Sequence, residues 1–192
     1  MPGRRLAGRL LGVTDEHGSD WGTPDGKGRA GLWVHELTRA GVWEALLARR
    51  VFASRVKGLR LDAACAGVRM GGTVPLAEPR PLRVELDLDR GAAWWGRRLN
   101  VQVLRPGPAP GARLAEREAG RLPALAAAME VTLPTPEEPV VSFEVDVDPA
   151  GGPWVVLRVS DPAAPPDPRA RGPWAELGYA VAYASPFWLE TG

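Results

Sequence analysis

Leu82-Arg83-Val84-Glu85-Leu86-Asp87-Leu88-Asp89 alternates apolar and charged side chains over eight positions. Neighbouring side chains of an extended chain point to opposite sides, so this stretch reads as a strand with one buried and one wet face. Val141, Phe143, Val145 and Val147 repeat the pattern, and Leu99, Val101, Val103 and Val155, Leu157, Val159 give shorter versions. Met129 to Leu133 and Tyr179 to Ala184 are weaker candidates. Six or more short strands separated by Pro/Gly turns predict an antiparallel β-sandwich.

The connections fit that plan. Arg105-Pro106-Gly107-Pro108-Ala109-Pro110-Gly111 and the proline-rich stretch Asp161 to Pro173 are poor strand material, because proline fixes φ and carries no N–H for a ladder. Between them, Ala112 to Ala128 reads as a helix, with Leu114, Arg117, Glu118 and Leu122 at suitable spacing and Pro123 as a breaker.

Upstream of Lys57 the pattern changes. Leu10 to Val13 reads as a strand, Thr14 to Ala30 as a loop, and Leu32 to Val34 as a short extended piece. Thr38 supplies an N-cap hydroxyl for a helix through about Arg50, with Val42, Ala45 and Leu46 on one face and Arg49 and Arg50 at its negative end. The expected organisation is therefore α+β in two parts, residues 1–56 and residues 57–192.

With 192 residues and 45% hydrophobic content, the chain can bury a sizeable core. The net charge of +1 is unevenly spread, since residues 1–60 hold 11 Lys+Arg against 6 Asp+Glu and the remainder 13 against 17. Arginine outnumbers lysine 22 to 2 and isoleucine is absent, which reads as a bias toward GC-rich codons. No basic run with interleaved aromatics marks a nucleic-acid groove. A single cysteine, Cys65, excludes an internal disulfide, and the apolar run after the basic start is too short for a signal or a membrane span. The expected location is the cytoplasm, with no nucleic-acid or membrane partner.

Thr14-Asp15-Glu16-His17 follows the apolar run directly. An Asp and a His two residues apart leave an extended segment on the same side, so both reach one site, and their donor atoms suit zinc, manganese or iron. A catalytic zinc needs a third protein ligand, and a two-metal site needs more. His35 is the other imidazole and reads as a surface or supporting residue. In the glycine-rich loop, Gly22 to Gly26 leaves three intervening residues and Gly28 follows Lys27, so Walker-type nucleotide binding is rejected. Asp20 and Asp25 fail the calcium-loop spacing. Lys27 and Arg29 remain able to meet a phosphate. The eight tryptophans invite a sugar-binding reading, but Trp33, Trp43, Trp154 and Trp188 fall within predicted elements and are assigned to packing.

Residues 10–55, from the Asp15-Glu16-His17 motif through Leu32-Trp33-Val34-His35-Glu36-Leu37-Thr38 to the strand Val51-Phe52-Ala53-Ser54-Arg55, resemble the end of a PHP-type metal-dependent phosphoesterase domain. The closing Tyr183-Ala184-Ser185-Pro186-Phe187-Trp188-Leu189-Glu190 is similar to the final strand of the C-terminal extensions found in large proteins of that family. The resemblance implies a distorted (β/α) barrel, of which residues 1–56 are the closing strand-loop-helix, followed by a mostly antiparallel β-sandwich accessory domain. It implies a divalent metal held in part by Asp15 and His17 and a phosphoester substrate. The family's other ligand motifs belong upstream, and about a dozen residues before Asp15 cannot build a barrel of roughly 200 residues or more. The expectation is a C-terminal portion of such a hydrolase, inactive alone and weak or silent in metal binding, whose partner is the barrel portion or an oligomer mate. A non-catalytic sandwich module for interaction or ligand binding, and a structural product of a truncated gene, are the alternatives.

Overall fold

The computed structural model describes residues 28–56, 59–88, 96–107, 124–132, 140–165 and 177–190. The elements are β1 (Arg29–Leu32), α1 (Arg39–Leu47), β2 (Val51–Ser54), β3 (Leu61–Cys65), β4 (Val68–Arg69), β5 (Thr73–Pro75), β6 (Arg80–Leu88), β7 (Arg98–Arg105), β8 (Ala124–Thr132), β9 (Val140–Val147), β10 (Trp154–Asp161), β11 (Tyr179–Ala184) and β12 (Phe187–Glu190). Strands dominate, and α1 is the one α-helix among the described residues.

The alternating stretch behaves as its pattern requires. Leu82, Val84, Leu86 and Leu88 are buried, and β6 pairs antiparallel with β3 on one side and β9 on the other. With β4 these form a four-stranded sheet. The larger, eight-stranded sheet runs β1-β2-β11-β10, and β10 also pairs with β7, which pairs with β8. β11 and β12 pair with successive parts of β10, and β12 takes β5 as the single parallel pair among the described residues.

Leu61, Val84 and Leu86 from the small sheet and Val101, Leu157 and Phe187 from the large one belong to one hydrophobic cluster, so the sheets share a core. Each such side chain contributes on the order of 1.5–3 kcal/mol when fully buried. The predicted strands around 82–88, 99–103, 141–147, 155–159 and 179–184 are all present. Three short ones, β3, β4 and β5, carry too brief an apolar pattern to stand out.

The helix expected over Ala112 to Ala128 is corrected at its C-terminal end, where Ala124 onward is strand β8; residues 112–123 lie outside the described set. Pro123 removes the N–H a helix would need, while Ala127, Met129 and Val131 face the core at period two, which only a strand permits.

The β3–β4 hairpin turns on Ala66 and Gly67, both with positive φ of 50° and 77°. Two left-handed residues in a two-residue loop match the twist of the flanking strands, and glycine takes the second position without strain.

β1 and β2 extend the large sheet through β11, where Ala182, Tyr183 and Ala184 lie opposite Ser54, Ala53 and Phe52. β1 and β2 therefore share a sheet with the strands that follow. No helix among the described residues is long and apolar enough to cross a membrane.

Candidate functional site

Helix α1 bridges β1 and β2, and its start follows the predicted chemistry. Thr38 is extended, with φ −123° and ψ 163°, and its Oγ1 accepts a hydrogen bond from the Gly41 amide at 3.0 Å. This satisfies one of the amides that a first helical turn leaves without a partner. Gly41 packs against the Glu36 carbonyl so closely that a β-carbon there would come within 2.3 Å of it.

The helix ends at Leu47, three residues earlier than expected. Arg49 takes a left-handed conformation with φ 57° and reverses the chain, so Arg49 and Arg50 lie beyond the helix rather than in its last turn. Arg49 Nε donates to the Gly71 carbonyl at 2.7 Å, which ties the helix exit to the loop between β4 and β5. Arg50 donates to Glu44 at 2.8 Å, and that hydrogen bond, followed by the guanidinium charge, lowers the Glu44 pKa.

The inward face of α1 is small and the outward face large. Gly41 and Ala45 are buried, Val42 and Leu46 half-buried, while Trp43 is 63% and Leu47 56% exposed. Leu37, just before the N-cap, is 91% exposed. Leu37, Thr38, Arg39, Val42 and Trp43 line an open hollow of about 430 Å³. Trp43, assigned to packing from its place in a helix, points outward. The small residues Gly41 and Ala45 lie inward, Gly41 against the Glu36 carbonyl, and the bulky side chains lie on the other side of the helix.

Trp33 behaves as assigned. Its Nε1 donates to the Leu61 carbonyl at 2.8 Å, its ring lies 6.4 Å from that of Phe52, and the Arg69 guanidinium stacks 5.0 Å from its centroid. Arg69 is held in turn by both carboxylate oxygens of Asp62.

Asp15, His17 and Lys27 lie outside the described residues. Arg29 opens β1 opposite Ser54 and is half-buried. His35 is exposed at the bend before α1. Among the described residues no three His, Cys, Asp or Glu side chains converge to hold a metal. Cys65 is 1% exposed and burial pushes its thiol up to about 11, which suits a packing residue and not a thiolate ligand.

A second polar feature escaped the strand pattern. Arg158 alternates with the core residues Leu157 and Val159 and so falls on the far side of the large sheet, yet it is 1% exposed. Its guanidinium donates to Tyr183 Oη at 3.2 Å, to Gln102 Oε1, and to the Gly178 carbonyl at 2.8 Å. Gln102 Nε2 donates to Ser160 Oγ at 2.8 Å, and Ser160 donates to the Leu177 carbonyl. The sequence signal was present as an arginine inside the run Trp154-Val155-Val156-Leu157-Arg158-Val159, but alternation alone assigns it to water.

No family model and no curated protein matches the chain. Among solved structures it is similar to the soluble domain of PmoD from Methylocystis sp. (Rockwell), with 11% identity, a TM-score of 0.37, and coverage of 69% of this chain and 90% of that one. A likeness at this level carries no argument about function.

Proposed function

We propose that the chain is the C-terminal part of a PHP-like, metal-dependent phosphoester hydrolase, with the segment through α1 and β2 as the end of its (β/α) barrel and residues 57–192 as the β-sandwich accessory domain. The observation that carries this reading is the outer face of α1. A helix with apolar side chains on both sides belongs between two layers, and here the large sheet supplies only one of them. The barrel body is the second layer. Leu37, Trp43 and Leu47 then form its contact with the accessory domain.

On this reading Asp15 and His17 are one edge of a zinc, manganese or iron site completed by upstream residues, and Lys27 and Arg29 meet the substrate phosphate. The described residues serve as the scaffold of this arrangement. Their work is to anchor the strand-helix-strand segment on the sandwich through β2–β11 pairing and the Arg49–Gly71 bond. The single cysteine agrees with a cytoplasmic protein.

The test compares this chain alone with the same chain joined to the polypeptide encoded in frame upstream. Alone, it is expected to purify without stoichiometric zinc or manganese and to hydrolyse no phosphoester with manganese added. Joined, it should show manganese-dependent turnover that His17→Ala abolishes. Turnover by the short chain that His17→Ala removes would overturn the division of the site, and an upstream sequence without His-x-His and Asp/Glu motifs would overturn the family reading in favour of a non-catalytic sandwich.

A further inference from the structure

The sandwich has an open end where the chain passes from the small sheet to the large one, between β9 and β10. There Asp148 caps a single 3-10 turn, Pro149–Gly151, by accepting from the Ala150 amide at 2.8 Å. The turn borders a hollow of about 220 Å³. Its apolar wall includes Trp154, Val155 and Leu189, and its charged rim is Arg105, Asp146 and Asp148. Val155 is 5% exposed and belongs to the core, so the wall continues the packed interior, whereas Arg105, Asp146 and Asp148 are exposed.

Two glycines shape this mouth. A β-carbon on Gly151 would meet the Arg105 guanidinium at 2.5 Å, and one on Gly152 would meet the Pro106 ring at 2.3 Å. The end of β7 can therefore lie directly across the turn, which sets the Arg105 guanidinium over Gly151 on the same hollow that Asp146 and Asp148 line. Trp154 is placed by β10, where it pairs with Trp188 of β12. All four come from strand ends or a capped turn, so the arrangement rests on the sheet framework.

We infer that this end of the sandwich binds a single sugar ring. A pyranose presents an apolar C–H face and an edge of hydroxyls that both donate and accept. An aromatic wall answers the first, and an arginine beside two carboxylates answers the second. The size of the hollow suits one ring and not an extended drug-like ligand, which typically takes about 300–1,000 Å³. One guanidinium and two carboxylates offer both donors and acceptors to hydroxyl groups, and the excess of carboxylate disfavours an anion. The site is independent of the α1 face and of the metal motif.

The experiment is a titration of the chain with glucose, galactose, mannose and N-acetylglucosamine, read by amide shifts of Gly151, Gly152 and Val155 and by the Trp154 indole signal. Saturable shifts confined to these positions are expected with at least one sugar. Arg105→Ala, an exposed change, should weaken that binding roughly tenfold by removing a charge-assisted donor. Trp154→Ala should weaken it further. Shifts absent for all four sugars, shifts scattered over the surface, or binding unchanged in Arg105→Ala would each overturn the inference. Shifts at these positions with inorganic phosphate or ethylammonium but with no sugar would overturn the ligand class. Phosphoesterase assays do not enter, so this result and that of the metal test are separable.

Discussion

In strand β10 of the large sheet an arginine is buried, and in the helix between β1 and β2 a tryptophan is exposed. Both invert the usual distribution of side chains, yet they differ in kind. Arg158 is closed, since its donors find Tyr183, Gln102 and the Gly178 carbonyl inside the fold. The face of Leu37, Trp43 and Leu47 is open, and its apolar surface meets solvent. A buried charge that is fully hydrogen-bonded reports a structure complete at that point, whereas a bulky apolar face turned outward is the surface on which the proposed contact rests.

The contrast can be broken hardest at Arg158. Arg158→Met leaves the Gln102 and Gly178 oxygens without their buried donor and should cost about 3 kcal/mol, read as a lower urea midpoint with an unchanged slope. A loss below roughly 0.5 kcal/mol would mean that the network is open to water and that the two regions are alike.

A smaller effect of opposite sign is expected in the β3–β4 hairpin, far from both regions. Ala66→Asn should stabilise the protein by about 0.5–1 kcal/mol, because asparagine accepts the left-handed conformation that alanine holds under strain, while Gly67 stays. It serves as the reference for a change that touches neither face. A thermal midpoint unmoved or lowered would show that the turn is not of the left-handed pair type.

The smallest effect on stability belongs to α1. Trp43→Glu with Leu47→Glu should alter the folding free energy by no more than about 0.5 kcal/mol, as exposed substitutions do. The same pair should abolish dye binding and any concentration-dependent association of the isolated chain, measured by fluorescence and light scattering. A large loss of stability would show that the face packs within this chain, and the proposed barrel contact would fail with it.

Much of the fold was legible because burial on one face writes itself into sequence at period two. Leu82 to Leu88 and Val141 to Val147 needed no tertiary information. The helix was legible at its start, where Thr38 acts locally, but not at its end, where the reversal at Arg49 depends on the Gly71 backbone more than twenty residues away. β8 was misread in part because alanine-rich Ala124 to Ala128 has strong helix propensity, and pairing with β7 overrides it. Of the expected site, the Asp15 and His17 pair remains a reading of sequence and family likeness.

What the sequence determined by itself was therefore the sandwich, the N-cap of α1 and the strand after it, all consequences of local pattern and of side chains acting on nearby backbone. What only the tertiary structure decided was which faces are finished. The order of strands around β10 brings Gln102, Tyr183 and Gly178 to Arg158, and the burial of Gly41 and Ala45 leaves Trp43 on the outward side of α1. Neither is written in any short stretch, because satisfaction of a buried charge and exposure of an apolar face are properties of neighbours distant in sequence.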